Sequence, residues 1–283
     1  MYEAFFGLRE LPFALTPDPR FLWMSETHQE GLATLYYGIT RRKGFILLTG
    51  EVGAGKTTLL RTTLHHLEQD VNVALVMNTA DLDPIDLLKL IAAEFGLKGR
   101  FDTKADYIIA LNKFLLDQLR RGQNTVLIID EAQNLELAAL EEVRLLSNLE
   151  TETEKLLQIV LTGQPELLPK LAEASLRQLR QRIALEHHVD SLLASEVTAY
   201  LEHRITTAGG ELAQIFSPGA EDIFYDFSQG CPRLVNLLAD RALLGAYSQQ
   251  LRPVPNALLD QKAKELDASR APKPSLGDGP PRD

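Results

Sequence analysis

Short apolar runs alternate with longer amphipathic stretches along the first two-thirds of the chain. The runs fall at 44–50 (GFILLTG), 71–78 (VNVALVMN), 124–130 (NTVLIID), 156–163 (LLQIVLTG) and 183–189 (IALEHHV). The first four are almost continuously hydrophobic, as strands covered on both faces of a parallel sheet must be. Between and after them, residues 56–67, 84–95, 105–121 and 137–149 carry helical spacing of apolar positions. Strand–helix alternation of this kind predicts an α/β layered fold with a five-stranded parallel sheet.

After about residue 190 the pattern changes. Residues 194–208, 218–227 and 232–249 read as helices, with a weaker one at 256–266, and no further strand is expected. The expected organisation is an α/β domain over 1–190, including the N-terminal leader, and a small all-helical lid domain over 191–268. The stretch 269–283 is rich in Pro, Gly, Ser and charge and reads as a disordered tail or linker.

The run at 44–50 leads directly into chemistry. Gly50, Glu51, Val52, Gly53, Ala54, Gly55, Lys56, Thr57 and Thr58 contain the G-x-x-x-x-G-K-T spacing between a strand and a helix. The glycines let successive backbone N–H groups turn toward an anion, and the helix N-terminus adds partial positive charge. Lys56 suits the β- and γ-phosphates of a nucleotide, and the Thr57 hydroxyl suits Mg²⁺. ATP with Mg²⁺ is the expected ligand.

The strand at 124–130 ends in Asp130 and Glu131. Asp130 suits the metal through its water shell, and Glu131 suits orientation of an attacking water. The next strand ends in Thr162-Gly163-Gln164, and Gln164, whose amide both donates and accepts, is the better candidate to hold that water or sense the γ-phosphate. The DEAQ string also occurs in helicases with tandem α/β domains, but here helices follow the one sheet. A GTPase would need N-K-x-D, and NKFL at 112–115 lacks the Asp.

Two arginine sites ask for anions. Arg177, Arg180 and Arg182 crowd together just before the last strand with no acid between them. Arg233 follows Pro232 at the expected start of a helix, where a cation opposes the helix dipole.

Bulk properties narrow the class. The net charge of -10 disfavours a general nucleic-acid binder. Cys231 is the single cysteine, which allows no internal disulfide and fits a reducing compartment. No signal-peptide pattern opens the chain, and no apolar run approaches the ~18 residues of a membrane span. A cytoplasmic protein is expected.

The opening MYEAFFGLRELPFALTPDPRFLWMSETHQEGL, then GEVGAGKTT, LIIDEAQNL, VLTGQPEL, LRQRI and GCPRLVNLLADRALL, together resemble the AAA+ ATPases of the general secretion pathway protein A type. The resemblance runs from Met1 to about Leu266. It implies ATP hydrolysis, a nucleotide-dependent homo-oligomer with nucleotide between subunits, and service to an envelope secretion or export component. It implies that Arg233 is the lid's sensor arginine and that Arg182 best matches the arginine reaching a neighbour's γ-phosphate, with Arg180 and Arg177 as second choices. It also implies a place at the inner face of the cytoplasmic membrane, reached through a partner or a further C-terminal segment, since proteins of this type usually continue into a membrane span. The rival expectations are an ATP-dependent regulator of DNA transposition that binds duplex, and a low-turnover nucleotide-switched scaffold.

Overall fold

The computed structural model describes residues 1–270, apart from 17, 68–70, 78, 79 and 81. Of the tail expected at 269–283, residues 271–283 lie outside the described residues, whereas 269 and 270 belong to the last helix, Asn256–Arg270.

The five strands form one parallel sheet. They are β1 (Phe45–Gly50), β2 (Val71–Val76), β3 (Asn124–Ile129), β4 (Gln158–Gly163) and β5 (Ile183–Val189), in the order β2-β3-β4-β1-β5. Strands β1, β3 and β4 are buried along their whole length, because each has neighbours on both sides and helices on both faces. β5 is an edge strand, and its exposed positions alternate with partly buried ones, which explains why IALEHHV lacks the solid apolar run of the others.

Alternation along the central strands builds two cores. Phe45, Leu47, Leu127, Ile129, Ile159 and Leu161 face helices Pro84–Glu94, Lys104–Arg120 and Leu137–Leu146. Ile46, Leu48, Val126, Ile128 and Val160 face the opposite side, where Leu35 and Ile39 of helix Glu26–Thr40 and Leu59 and Leu60 of helix Lys56–Leu67 cover them. Local signals set the helix starts. Asp83 caps the helix beginning at Pro84, and Thr103 with Asp106 forms a reciprocal capping box. Helix Glu26–Thr40, capped by Ser25, was not distinguished within the leader by the sequence pattern.

Contacts divide the chain into two compact units, one of Pro17–Ser191 and one of Met1–Thr16 with the chain from Leu192 onward. The leader is therefore split. The sequence pattern assigns all of it to the α/β domain, but its first residues belong with the helices Ala194–Thr207, Ala220–Ser228, Pro232–Ser248 and Asn256–Arg270. The reason is hydrophobic: Phe6 and Phe13 are buried, and Phe13 meets Phe216 edge-on. Polar groups fix the register. Arg204 Nε donates to the Pro12 carbonyl at 2.6 Å, and the Tyr2 hydroxyl donates to Asp240 at 2.6 Å. Burial and the neighbouring Asp240 carboxylate push the Tyr2 phenol well above its ordinary range.

A candidate nucleotide site at the strand ends

The loop after β1 is shaped by what surrounds it. A Cβ on Gly50 would sit 2.6 Å from the Val189 carbonyl oxygen of β5, so only glycine fits where the loop leaves the sheet. Gly55 has φ +102°, a left-handed conformation other residues adopt at a cost. Lys56 opens the following helix and is 5% exposed. Its Nζ donates to the carbonyls of Gly50 (2.7 Å) and Glu51 (3.0 Å), folding the side chain over the loop. Glu51 and Val52 lie exposed at the tip, and Thr58 is half-buried.

Strand order decides which acids meet this loop. β4 lies between β1 and β3, so the ends of all three converge. Asp130, just past β3, is 4% exposed and draws donors from several elements. The Thr57 hydroxyl donates to Oδ2 at 3.2 Å, the Glu131 amide donates to Oδ1 at 3.0 Å, and the Thr162 hydroxyl also donates to Oδ1. Thr57 and Asp130 thus bring a hydroxyl and a carboxylate from different elements to one point. Oxygen donors are the set Mg²⁺ takes.

Glu131 is held differently. Its backbone is left-handed (φ 54°, ψ 41°), a strained state for a residue with a Cβ, costing roughly 1–3 kcal/mol. Two amides grip its Oε2: Gln133 Nε2 at 2.6 Å and Gln164 Nε2 at 3.2 Å. Gln133 Oε1 in turn accepts from the Gln164 amide N–H at 3.1 Å, linking the ends of β3 and β4. The sequence offers Gln133 only as the last residue of the DEAQ string, with nothing local to tie it to Gln164.

The structure thus brings together Thr57, Asp130, Glu131, Thr162 and Gln164. It sets the three crowded arginines elsewhere. Ile183 of β5 pairs with Phe45, at the far end of β1 from Gly50. Five residue steps separate those ends, roughly 17 Å at ~3.3 Å per residue. Arg182 is half-buried there, donating to Ser147 Oγ and to the Arg144 carbonyl (3.3 Å) at the C-terminus of helix Leu137–Leu146. Arg180 is not without a local acid, as the sequence suggested, because Glu186 on β5 pairs with it. Arg177 is exposed. Arg233 stands exposed in the first turn of helix Pro232–Ser248, as expected from Pro232.

A glycine-rich loop between a strand and a helix, with an acidic pair two strands away, is the layout of a P-loop fold. A family model described as an AAA domain matches residues 39–171. Over 278 residues the chain is 42% identical to General secretion pathway protein A of Aeromonas hydrophila, a match covering 95% of this chain and 49% of that protein. The chain is homologous to that protein and spans about half its length. Among solved structures, the fold is similar to the ORC2 protein of Aeropyrum pernix in ADPNP–ADP complexes (TM-score 0.68, 17% identity, 90% of this chain and 71% of that one). It is likewise similar to Cdc6p of Pyrobaculum aerophilum (TM-score 0.67, 16% identity, 90% and 70% covered). Both likenesses speak to the fold alone.

Proposed function

We propose that this ATPase binds ATP with Mg²⁺ and that hydrolysis energises assembly of an envelope secretion or export apparatus. The observation that carries the catalytic part is the paired anchoring of Asp130 by Thr57 and Thr162 beside Glu131 gripped by Gln164. Thr57 and Asp130 would hold the metal. A metal held there would supply positive charge against the phosphate oxygens. Lys56 and the backbone amides of residues 50–58 bind the phosphates. Glu131, fixed by two amide donors, orients and polarises water, and Gln164 keeps that carboxylate aimed. Arg233, a cation against a helix N-terminus, is assigned to an anionic phosphate.

The choice of apparatus rests on the 42% identity to a protein named for the general secretion pathway. The same kinship supports a cytoplasmic location at the inner membrane face and a nucleotide-dependent homo-oligomer. Among the described residues no helix is long and apolar enough to cross a membrane. A DNA-binding role draws no support from the net charge of -10.

Two measurements test the reading. ATP should raise the thermal midpoint only with functional Lys56, and turnover should need Mg²⁺. Deleting the coding gene should block assembly of an envelope secretion or export complex, restored by wild type and not by Glu131→Gln. Intact assembly in the deletion strain would refute the cellular role while leaving the ATPase in place.

A further inference from the structure

The phosphate loop is held from outside by a histidine the proposed chemistry does not use. His28 lies in the first turn of helix Glu26–Thr40 and is 2% exposed. Its Nε2 sits 3.1 Å from the Ala54 carbonyl oxygen, in the middle of the loop. A carbonyl only accepts, so Nε2 carries a proton and donates to it. Its Nδ1 faces Ser25 Oγ at 2.5 Å, where the hydroxyl can donate to the ring. Ser25 also caps the helix, accepting from the His28 amide at 3.2 Å.

The platform beneath His28 is itself anchored. The Thr27 hydroxyl donates to the His188 carbonyl at 3.0 Å, and His187 Nε2 lies 2.7 Å from the Thr27 carbonyl. The start of this helix is thereby tied to β5 as well as to the loop.

Peptide geometry turns this contact into a statement about the loop's inner surface. In a trans peptide the C=O of Ala54 and the N–H of Gly55 share a plane and point in opposite directions. Holding the Ala54 carbonyl on His28 therefore turns the Gly55 N–H away from helix Glu26–Thr40. The ring also comes close enough that a Cβ on Gly55 would sit 2.8 Å from His28 Nε2. Gly55 thus answers two demands, its left-handed φ and the packing of the imidazole.

We propose that His28 is a positioning residue for nucleotide binding: it pins the Ala54 carbonyl outward so that the Gly55 N–H is preset to face a phosphate. This rests on the reading of residues 50–58 as the phosphate loop. Presetting matters because an amide already aimed costs nothing to order when the anion arrives.

The experiment has three arms. In ¹⁵N NMR of the wild-type protein, the His28 ring should show a protonated Nε2, and an Nδ1–H tautomer with bare Nε2 would overturn the proposal without any variant. Equilibrium binding of a fluorescent ATP analogue then compares His28→Met, which fills the space without donating, with His28→Gln, whose amide can reach the same carbonyl. His28→Met should weaken binding about tenfold, the net scale of one hydrogen bond. It should raise KM with kcat within about twofold. His28→Gln should return both to within about threefold of wild type. Equal losses in the two variants would mean the ring acts only by packing, and wild-type binding in His28→Met would mean it does not act at all. Either result sinks the proposal. Lys56→Ala serves as the control: should it bind like wild type, the loop assignment fails, and that failure is separable from a failure of the clamp. Should His28→Met not fold, the tautomer and His28→Gln decide.

Discussion

Gln164 Nε2 lies 3.2 Å from Glu131 Oε2, joining the end of β4 to the second residue past β3. The contact explains how a carboxylate on strained left-handed backbone keeps one direction. It also separates two roles that a sequence motif merges. In the proposed reaction Glu131 acts on water and Gln164 aims Glu131. Glu131→Gln should therefore keep ATP binding and lose at least ~10²-fold in turnover, the scale of a general base. Gln164→Ala should lose roughly tenfold in kcat, about one hydrogen bond's worth, with KM little changed. Steady-state kinetics beside equilibrium binding check both. Near-normal turnover in Glu131→Gln would move the base elsewhere.

Lys56 is not a loose cation over an open loop. It is buried, and it donates to two loop carbonyls. Lys56→Ala should therefore lose most nucleotide affinity and also lower stability without nucleotide by about 1 kcal/mol. Thermal unfolding reads both effects. ATP at a hundredfold over Kd stabilises a binder by about 2.7 kcal/mol, and that increment should vanish in the variant. A full nucleotide shift in Lys56→Ala would refute its role.

The strands were legible because burial on both faces forces continuous apolar runs, as in FILLTG, NTVLII and QIVLTG. The phosphate loop and acidic pair were legible because their spacing is fixed by local backbone. Gln133 was less so, since its partners Glu131 and Gln164 meet it only through folding. Helix Glu26–Thr40 was hidden by the Pro-rich stretch before it, although Ser25 is an ordinary N-cap. The pairing of Arg180 with Glu186 was also invisible, because the acid sits six residues on, across the turn into β5.

Arg204 ties the first residues of the chain to the helical unit. It is 8% exposed and donates to the carbonyls of Pro12 (2.6 Å) and Ala14 (3.4 Å), while its guanidinium lies over the Phe13 ring. Arg204→Ala would leave the buried Pro12 carbonyl without this donor and expose Phe13. A loss of about 2–3 kcal/mol in chemical denaturation is expected. Proteolysis should then release the first residues early. Wild-type stability would show that Arg204 is not what holds the leader.

The arginines before β5 offer a test of assembly. They precede a strand whose first residue, Ile183, pairs with Phe45, at the end of β1 opposite the phosphate loop. No rotamer of Arg182 spans that distance, so an arginine from this group can serve a nucleotide only if that nucleotide belongs to a neighbouring subunit. Such a finger contributes ~10³–10⁵ in rate by stabilising transition-state charge. The local structure separates the candidates. Arg182 caps helix Leu137–Leu146 through Ser147 and the Arg144 carbonyl, so Arg182→Ala should cost about 1 kcal/mol of stability as well. Arg177 is exposed, and Arg177→Ala should leave stability unchanged. If Arg182 is the finger, Arg182→Ala binds ATP almost normally and hydrolyses it at least a hundredfold more slowly. Mixing it with Lys56→Ala should then restore part of the ATPase activity, because a mixed interface joins an intact loop to an intact finger. No recovery at any ratio, with co-assembly shown by sedimentation, would exclude Arg182. Recovery with Arg177→Ala in its place would assign the finger to Arg177 and leave Arg182 as a helix cap.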